Sequence, residues 1–571
     1  MYDPTRDTYH LLYQWHPNHV NWGNISWGHA TSKDLITWYD VGPEPAWQND
    51  NAQAIGTGPV GTYDGLGIFS GTAQPVNIHG MVDGTLLAFY TSVSYLPTNW
   101  RIPYYPGTET QSLAYSTDGG LNWQKYDGNP VIRTPPPGWN LTGWRDPFFL
   151  PWPEMDALLG QTSPHYYAVF GSGIKGVGPR IPFYSAPASD LTQWTFLGAL
   201  WEPAANTSLG SVLETGLYGF NFEVSGFFSL YDAMGEIHYF VEMGAEGGNS
   251  SVRAIDRWAL WNEGTVSRRE NGSAAFNPVS GGAADWGNLY ALTSFNDTKN
   301  NRRVEWGWAP EDMGDFALTQ QGFQGCMALP RERFVHVTKG VQDVNDELTQ
   351  PGNFRATRQA DGTYTSYTLG VMPLNEVVRA ITKRARRVKV DHRRGRCDRP
   401  KKLMSSSSNH FKLYAELTDV TGPAGFQVGV SPDGSEYTNI YFNPSNYTIN
   451  VDRMHSSLIN QFANFTNVGY FYPYTIAGKT EPLRMTVFLD GSLLEIYVND
   501  RFSLTTRIYP SRADSTGFGL YVAQGVSAEV KHLEAYDGLL NVWPDRPLNS
   551  SSPLVFDTPE ETNNYTWWPG N

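Results

Sequence analysis

Cysteine is scarce in this chain: two cysteines, Cys326 and Cys397, occur among 571 residues. Two thiols cannot build a disulfide framework, and they cannot build a zinc site from cysteines alone. Charged side chains are also few, at 17% of the residues, and acidic ones prevail, so the formal net charge is −15. Because so acidic a surface repels a polyanion, we expect no nucleic acid partner. A neutral small molecule is easier to accommodate.

Long hydrophobic runs are absent from the sequence as well. No apolar stretch approaches the ~20 residues that span a bilayer, so no membrane partner is expected. No signal peptide precedes residues 9–13, which already have the pattern of a strand, and the chain is therefore expected to begin inside its fold. Sequons of the form Asn-x-Ser/Thr are nevertheless frequent and favour a glycosylated, extracellular protein; they begin at Asn24, Asn140, Asn206, Asn249, Asn271, Asn296, Asn446, Asn464, Asn549 and Asn564.

Aromatic residues, glycine and proline, by contrast, are abundant. Phe, Trp and Tyr make up 14% of the chain, beside 57 glycines and 38 prolines, a composition that favours short strands and tight turns over long helices. We therefore predict an all-β protein. At about 100 to 250 residues per domain, the length favours two or three domains.

A turn-like string recurs at residues 32–38, 116–123 and 189–194. Each copy follows an apolar strand and carries an Asp that can hydrogen-bond its own turn and a Trp that can pin the next strand. A recurring four-stranded unit of this kind is typical of β-propeller blades. Strand-like sequence of this type continues to about residue 375, and we assign residues 1–375 to the first domain.

A basic segment then interrupts the pattern. Residues 383–402 hold eleven of the 41 Lys and Arg and are followed by four serines at 405–408. Such a composition cannot bury itself, so we interpret residues 376–408 as a solvated linker or insertion. A nuclear-localisation or polyanion-binding patch, and a misread or unspliced coding segment, are the alternatives.

The second domain is predicted to be a β-sandwich over residues 409–548, with a loose tail at 549–571. Its clearest element is a hairpin, because two alternating runs at 483–489 and 494–498 flank an Asp-Gly turn.

Two carboxylates stand out as candidates for chemistry. Asp146 lies between Arg145 and Pro147, where the guanidinium is expected to hold the carboxylate ionised through its charge and paired hydrogen bonds. Glu223 lies in the otherwise apolar run 221–228, and the loss of hydration there favours the protonated form that a general acid needs. An ordinary Arg-Asp turn pair and a buried, hydrogen-bonded Glu are the plainer alternatives.

The neighbours of these carboxylates carry motifs in a distinctive order. These are LYQWHP from Leu12, WGHA from Trp27, SKDLITW from Ser32, FSGT from Phe69, QSLAYSTDGG from Gln111, WRDP from Trp144, NFEVSGFF from Asn221, DWG from Asp285, WGW from Trp306 and LPR from Leu329. The second domain adds Asp452-Arg453 and DGSLLEIYVNDR from Asp490. This set resembles glycoside hydrolase family 32, the invertases, inulinases and fructosyltransferases, over nearly the whole chain.

The resemblance implies a five-bladed β-propeller followed by a β-sandwich. It implies retaining cleavage or transfer of β-fructofuranosides such as sucrose or fructan, with Glu223 as acid/base and Asp146 as stabiliser of the oxocarbenium-like transition state. Arg145 would orient Asp146. No metal or organic cofactor is implied. Four further positions match residues that shape the fructose pocket, with strand packing as the alternative for the two aromatic ones: Gln14, Trp22, Phe69 and Ser70.

The sequence departs from the family pattern at two places. Val224-Ser225 follow Glu223 where the family usually has Cys-Pro, which we interpret as the mark of a subgroup. The family's nucleophile lies in an Asp-Pro turn, and Asp3-Pro4 resembles it. Asp3, however, precedes Gln14 by only eleven positions and matches a second, non-catalytic Asp of the family. The nucleophile is therefore expected several residues upstream of Met1.

Three hypotheses on function follow. The first is a β-fructofuranosidase with some transfer capacity, for which Ser70 at the pocket rim favours invertase-like behaviour. The second is a non-catalytic fructoside-binding protein, or an inactive homologue, that lacks the nucleophile. The third, a different propeller glycosidase such as a sialidase, rests on the STDGGLNW string and needs an Arg triad that the sequence does not reveal. Oligomeric state is not predicted.

Overall fold

A computed structural model describes residues 1–16, 20, 22–41, 53–248, 251–253, 255–314, 317–318, 321–388, 395–405, 409–462 and 465–541. The all-β prediction is confirmed, with five blades of a propeller followed by the two sheets of a β-sandwich. The helices in this part of the chain are short: α1 Pro153–Leu159, α2 Val212–Thr215, α3 Asn375–Thr382 and a 3₁₀ turn Asn460–Phe462. A search of the described helices finds none with the length and apolar character that a membrane span requires.

Blades I to IV are antiparallel four-stranded sheets built from consecutive strands. Their strands are β1 Tyr2–Asp3, β2 Thr8–Trp15, β3 Ser26–Ser32 and β4 Tyr39–Asp40; β5 Gly67–Gln74, β6 Leu86–Val93, β7 Glu109–Ser116 and β8 Gln124–Lys125; β9 Leu141–Pro151, β10 His165–Ile174, β11 Gly178–Pro187 and β12 Thr195–Trp201; and β13 Asn221–Tyr231, β14 Ile237–Glu246, β15 Arg257–Arg268 and β16 Ala274–Asp285.

Blade V has four strands in the order β17, β18, β20, β22, and further short strands extend it. Its strands are β17 Tyr290–Asp297, β18 Arg302–Ala309, β19 Cys326–Met327, β20 Arg331–Gln342, β21 Arg355–Arg358 and β22 Tyr364–Pro373. A hairpin from the sandwich, β31 Thr475–Ile476 and β32 Lys479–Thr480, pairs with β20 and so joins the two domains.

The recurring turn predicted from the sequence is confirmed in blades I, II and III. In each blade the string connects the third strand to the fourth. Asp34 Oδ1 accepts hydrogen bonds from the N–H groups of Ile36 and Thr37, both at 2.9 Å. Asp118 and Asp190 accept from their own turns in the same way. The Asp therefore organises the turn locally, as the pattern indicated.

The sandwich packs a six-stranded sheet against a seven-stranded one. Its strands are β23 Arg386–Arg387, β24 Gly395–Cys397, β25 Lys401–Ser405, β26 His410–Thr418, β27 Ala424–Val430, β28 Thr438–Asn443, β29 Thr448–Asp452, β30 Thr466–Tyr470, β33 Leu483–Asp490, β34 Leu493–Val498, β35 Phe502–Arg507, β36 Gly517–Val522 and β37 Ala528–Asp537. The predicted hairpin is confirmed as β33 and β34, with Asp490 paired to Leu493. The predicted tail 549–571 lies outside the described residues.

The described parts of the predicted linker 376–408 pair with the sandwich through their backbones, while Arg386 and Arg387 keep 63% and 65% of their side chains exposed. These parts form α3 and the strands β23, β24 and β25, of which β23 and β24 pair with β37 and β25 pairs with β36. Both arginines also have acidic partners. Arg386 lies 2.5 Å from a carboxylate oxygen of Asp537, and Arg387 lies 2.7 Å from one of Glu534. Backbone pairing and contacts with opposite charge thus attach this basic segment to the sandwich, although its own side chains cannot form a core.

Bulges recur in the first strands of blades II to V, which line the propeller axis. In β5, β9, β13 and β17 two residues oppose one residue of the next strand. The bulged pairs are Phe69-Ser70, Asp146-Pro147, Val224-Ser225 and Ala291-Leu292. A bulge bends the strand and redirects its side chains. Four strands are therefore redirected around the axis, and the candidate carboxylates lie at or beside two of these bulges.

Candidate functional site

A small cavity lies where the bulged strands meet and is lined by residues of β5, β9, β13 and β17. Blades II, III, IV and V each contribute to its lining, through Thr72, Asp146, Val224 and Leu292 in that order. The Oγ1 of Thr72 donates a hydrogen bond of 3.0 Å to the carbonyl of Pro147, which ties blade II to the Asp146 bulge. The cavity therefore brings together residues that are far apart in the sequence.

Asp146 is held rigidly at this cavity. Its φ is +65°, a backbone conformation that non-glycine residues rarely adopt. Its N–H donates to Thr91 Oγ1 at 2.9 Å, and its Oδ2 accepts from the N–H of Val224 at 3.0 Å. Blade II therefore holds the backbone of Asp146, and blade IV holds its side chain. Together these hydrogen bonds maintain a backbone conformation that would otherwise relax.

Arg145 does not form the predicted paired hydrogen bonds with Asp146. Its Nη1 lies 2.7 Å from Glu109 Oε1, and its Nε and Nη2 lie 3.1 and 2.9 Å from Glu223 Oε1. Adjacent residues of a strand point to opposite faces, which directs the guanidinium away from its neighbour. The expected role of Arg145 in orienting Asp146 is thus corrected: it orients Glu223 and acts on Asp146 through its charge alone.

Glu223 is half-buried and hydrogen-bonded on both oxygens. Its Oε1 accepts the two bonds from Arg145, and its Oε2 accepts from the hydroxyl of Tyr290 at 3.0 Å. It is therefore not the isolated carboxyl in an apolar strand that the sequence indicated. The Val224-Ser225 bulge that follows it explains the difference, because the bulge ends the regular alternation of the strand.

Several carboxyls share the field of Arg145, and the charge of Arg257 acts on Glu246 as well. Burial, followed by the charge of Glu223, raises the pKa of Asp146 to about 7, although the charge of Arg145 opposes the shift. The same two causes raise the pKa of Glu246 to about 8, against the charge of Arg145 and a hydrogen bond from Asn221. At neutral pH the site therefore retains protons, whereas the sequence predicted an ionised Asp146.

Sequence reasoning missed three residues of the site. Glu109 is fully buried and binds Arg145, Glu246 Oε2 lies 3.8 Å from Arg145 Nη2, and Tyr290 donates to Glu223. A carboxyl at the end of a largely apolar strand was the available signal for Glu246, whereas Glu109 begins a mainly polar strand and had no such signal. Tyr290, with Ala291, belongs to the motif set that resembles the family, but no chemical role was assigned to it.

The four predicted pocket residues form one connected group next to the Asp146 bulge. Gln14 Nε2 donates to Ser70 Oγ at 2.7 Å, and Trp22 Nε1 donates to Gln14 Oε1 at 3.2 Å. The rings of Trp22 and Phe69 lie 4.7 Å apart. Phe69 is only 1% exposed, so it supports Trp22 by packing and offers no face to a ligand. Gln14 is exposed, and Trp22 and Ser70 partly so.

Asp3 forms part of a turn in blade I. Its Oδ1 accepts from the N–H of Thr5 at 2.8 Å and its Oδ2 from Arg6 Nη1 at 3.0 Å, and its side chain is fully buried. These bonds match the non-catalytic role that its spacing predicted.

The junction of β9 and β13 has the groups that acid/base chemistry needs. Asp146 and Glu223 belong to adjacent blades, and one guanidinium and one phenol can stabilise the anion of Glu223 after it has given up a proton. Within the described residues, the group with the spacing of metal ligands, Asp232, Glu236 and His238, lies outside the cavity between the bulged strands.

Comparison with known proteins gives a consistent result. Residues 1–344 match the family profile "Glycosyl hydrolases family 32 N-terminal domain", and residues 376–537 match "Glycosyl hydrolases family 32 C terminal". The Aspergillus kawachii β-fructofuranosidase structure is 30% identical, with 96% of this chain and 92% of that chain covered and a TM-score of 0.83. A fructosyltransferase structure from A. japonicus is 28% identical over 96% and 93% of the two chains, with a TM-score of 0.84. A levanase of Bacillus subtilis is 26% identical over 98% of this chain and 70% of its own length.

Proposed function

The chain belongs to glycoside hydrolase family 32, and from this we propose that the site around Asp146 and Glu223 binds a β-fructofuranosyl unit for retaining cleavage or transfer. The observation that carries the proposal is the junction of the two bulged strands. There the N–H of Val224, which follows Glu223, donates to Asp146, so the two carboxyls are fixed relative to each other. Fixed placement of catalytic carboxyls on either side of the scissile bond is the requirement of this reaction.

We assign the acid/base role to Glu223. In the first step its proton passes to the glycosidic oxygen as that bond breaks, and in the second step it takes a proton from water. Arg145 and Tyr290 donate to the resulting carboxylate and thereby lower the cost of its charge. In its ionised form, which prevails above its pKa of about 7, Asp146 would accept hydrogen bonds from fructose hydroxyls and stabilise the positive charge that develops at the anomeric carbon.

The double displacement also needs a carboxylate nucleophile, which the family resemblance leads us to expect on the N-terminal side of Met1. Asp3 is engaged by Thr5 and Arg6, and the second candidate function is fructoside binding without turnover. The two candidates differ in whether an upstream Asp-Pro turn is present in the protein that is tested.

The test compares residues 1–571 with a version extended upstream through an in-frame Asp-Pro motif. We expect the extended enzyme to release glucose and fructose from sucrose and the shorter chain to bind sucrose with turnover lower by several orders of magnitude. In the active version, Glu223→Gln should reduce kcat about 10²- to 10⁴-fold. Asp490→Asn, on an exposed carboxylate of the sandwich, is the matched control.

Two results would overturn the proposal. One is an extended chain that neither binds nor processes any fructoside. The other is a Glu223→Gln variant with the activity of its parent.

We further propose invertase-like behaviour with a minor transfer activity, supported by the Gln14–Ser70 hydrogen bond at the edge of the pocket. Product analysis at low and at high sucrose concentration measures it. Fructo-oligosaccharides as the main product at low sucrose would contradict this assignment.

An extracellular location is our proposal as well. Five sequon asparagines are exposed and accessible to glycosylation, namely Asn140, Asn206, Asn271, Asn296 and Asn446. Expression in a secreting eukaryotic host followed by peptide N-glycosidase treatment should lower the apparent mass. An unchanged mass would count against this location.

A further inference from the structure

A second cluster of ionisable side chains lies at the end of blade IV opposite Glu223. Glu223 is near the start of β13, whereas Asp232 directly follows its last residue. Asp232 and Glu236 lie on the turn between β13 and β14, His238 lies at the start of β14, and one donor atom from each falls within 4.8 Å of the other two. About nine residues of extended strand separate this cluster from the candidate active site, so the cluster has no part in that chemistry.

The protonation of His238 follows from its contact with Glu263. His238 Nδ1 lies 2.7 Å from Glu263 Oε1 in the neighbouring strand β15. A contact this short between a ring nitrogen and a carboxylate oxygen is a hydrogen bond, and the ring donates it from Nδ1. In a neutral ring the Nε2 atom then carries a lone pair.

That lone pair faces another acceptor. His238 Nε2 and Asp232 Oδ2 are both buried without a hydrogen-bond partner among the described residues, and they lie 3.6 Å apart. The other oxygen of Asp232, Oδ1, is already occupied, because it accepts from the N–H groups of Met234 and Glu236 at 2.8 and 2.9 Å. Two buried acceptors that face each other are unfavourable unless a positive charge lies between them.

A protonated imidazole would not satisfy the pair well, since 3.6 Å exceeds the roughly 3.2 Å limit of an N–H···O hydrogen bond. A divalent metal ion fits better. Zinc binds His nitrogen at about 2.0–2.1 Å and carboxylate oxygen at about 2.0–2.2 Å, so two of its ligand atoms can lie 3.6 Å apart.

We propose that Asp232, Glu236 and His238 bind one divalent transition-metal ion of the zinc class. Glu263 accepts a hydrogen bond from the other ring nitrogen of His238, as carboxylates often do at metal-binding histidines. This bond fixes the tautomer and the orientation of the ring. One nitrogen and two oxygen ligands favour zinc and its first-row neighbours over calcium, which takes oxygen ligands alone. The ion would be structural, and the proposal does not depend on the fructosidase function.

The site would join two blades of the propeller. Arg355, on β21 of blade V, donates from its Nε to Glu263 at 3.1 Å and lies over the ring of Tyr367 at 4.4 Å. Its Nη2 lies 3.3 Å from His238 Nδ1, so its charge is close to the proposed ion and is compensated by Glu263. Metal binding would therefore stabilise the contact between the blade IV hairpin and blade V.

Binding is tested on the full, untagged chain after treatment with a chelator. Calorimetric titration with ZnCl₂ and metal analysis after dialysis should give one equivalent, and Zn²⁺ should raise the thermal transition. Glu236→Gln changes an exposed ligand, so it leaves the fold intact and should weaken Zn²⁺ at least tenfold. His238→Gln should abolish binding, and Glu263→Gln should weaken it about 10- to 100-fold.

The matched control is His410→Gln, which removes an exposed His that pairs with Asp490 in the sandwich. It should bind Zn²⁺ as the parent does. The proposal is overturned if the parent shows no stoichiometric Zn²⁺ binding. It is also overturned if Glu236→Gln and His238→Gln bind Zn²⁺ as tightly as the parent, because the ion would then be held elsewhere.

Discussion

At the scale of single residues, Arg145 controls the electrostatics of the candidate active site. It is almost fully buried and lies within 4 Å of carboxyls of Glu109, Glu223 and Glu246, with Asp146 next to it in the chain. Burial penalises so many carboxylates close together, and the charges of Arg145 and Arg257 do not offset this penalty, so protons are retained there instead. The pKa values of Asp146 and Glu246 are raised for this reason.

The first prediction concerns Tyr290, whose hydroxyl donates to Glu223. Tyr290→Phe removes a donor to a charged group, and such a bond contributes about 1.5–3 kcal/mol. We expect kcat of the active version to fall by ~10-fold or more, because the carboxylate formed during proton donation loses this stabilisation. The basic limb of the pH–rate profile should move to higher pH.

Steady-state kinetics across pH measure the Tyr290→Phe effect. Tyr166→Phe, in the buried core of blade III, is the control and should leave the profile in place. An unmoved pH profile in Tyr290→Phe would separate this residue from the acid/base step.

The second prediction concerns stability and pH. Glu246 keeps its proton in the folded state up to about pH 8, whereas an unfolded Glu loses it near about pH 4. The folded state therefore binds more protons between these values, and its stability falls as pH rises through this window. Glu246→Gln stays neutral, so it should gain stability relative to the parent as pH rises from 5 to 8.

Urea unfolding at several pH values tests this sign. Glu270→Gln, an exposed carboxyl in a turn of blade IV, should follow the parent at every pH. A stability difference between Glu246→Gln and the parent that does not change with pH would show that Glu246 is already ionised in the folded state.

At the scale of secondary-structure elements, the bulges decide where the functional groups point. Val224 and Ala291 have φ values of +46° and +52°, so two strands besides β9 carry left-handed residues at their bulges. Gly171 shows how closely the blades approach there, because a Cβ on it would lie 2.5 Å from the Cα of Glu223. Pro147 gave a sequence signal for one bulge, since proline is not tolerated in a regular central strand. The bulges in β13 and β17 had no such signal.

The third prediction concerns the connection between β16 and β17, which docks on the sandwich. Trp286 and Asn288 donate their N–H groups to the carbonyls of Ser503 and Thr505 at 2.9 and 2.6 Å. A Cβ on Gly287 would lie 1.7 Å from the Thr505 oxygen. Gly287→Ala should therefore separate the two backbones and cost about 1–3 kcal/mol of stability or more.

Chemical unfolding of Gly287→Ala checks this expectation. Gly314→Ala is the matched control, because a Cβ there meets no atom within 4 Å. Equal unfolding midpoints for the two variants would show that the docked segment moves apart without cost.

At the scale of the whole molecule, Arg331 joins the propeller to the sandwich. It lies on β20, is 2% exposed, and donates to Asp285 of the propeller at 2.9 Å and to Thr505 of the sandwich at 2.6 Å. Its Nη2 also lies 3.3 Å from Glu495. The two domains therefore share one buried charge network, and we expect them to unfold together.

The fourth prediction is that Arg331→Met destabilises the protein by about 3–5 kcal/mol, because Asp285 and Glu495 lose the charge that compensates their burial. The joint transition should divide into two, which differential scanning calorimetry would resolve. Arg512→Met removes an exposed Arg from its pairs with Asp433 and Asp514 and should leave the scan unchanged. A single transition at the parent's temperature in Arg331→Met would refute the coupling.

Local patterns in the sequence determined much of this protein. The all-β class, the repeated turn with its Asp, and the β33–β34 hairpin depend on composition and near neighbours, and the structure confirms them. The ordered motifs identified the family and drew attention to Asp146 and Glu223. These features are readable because their causes lie within a few residues along the chain.

The tertiary structure decided the partners of charged groups. Arg145 binds glutamates 36 and 78 positions away, and the basic segment near residue 386 pairs with acidic residues about 150 positions later. A charge selects its partner by distance in space and by burial, and neither follows from separation along the sequence. The protonation of the site and the order of the basic segment were therefore outside the reach of the sequence alone.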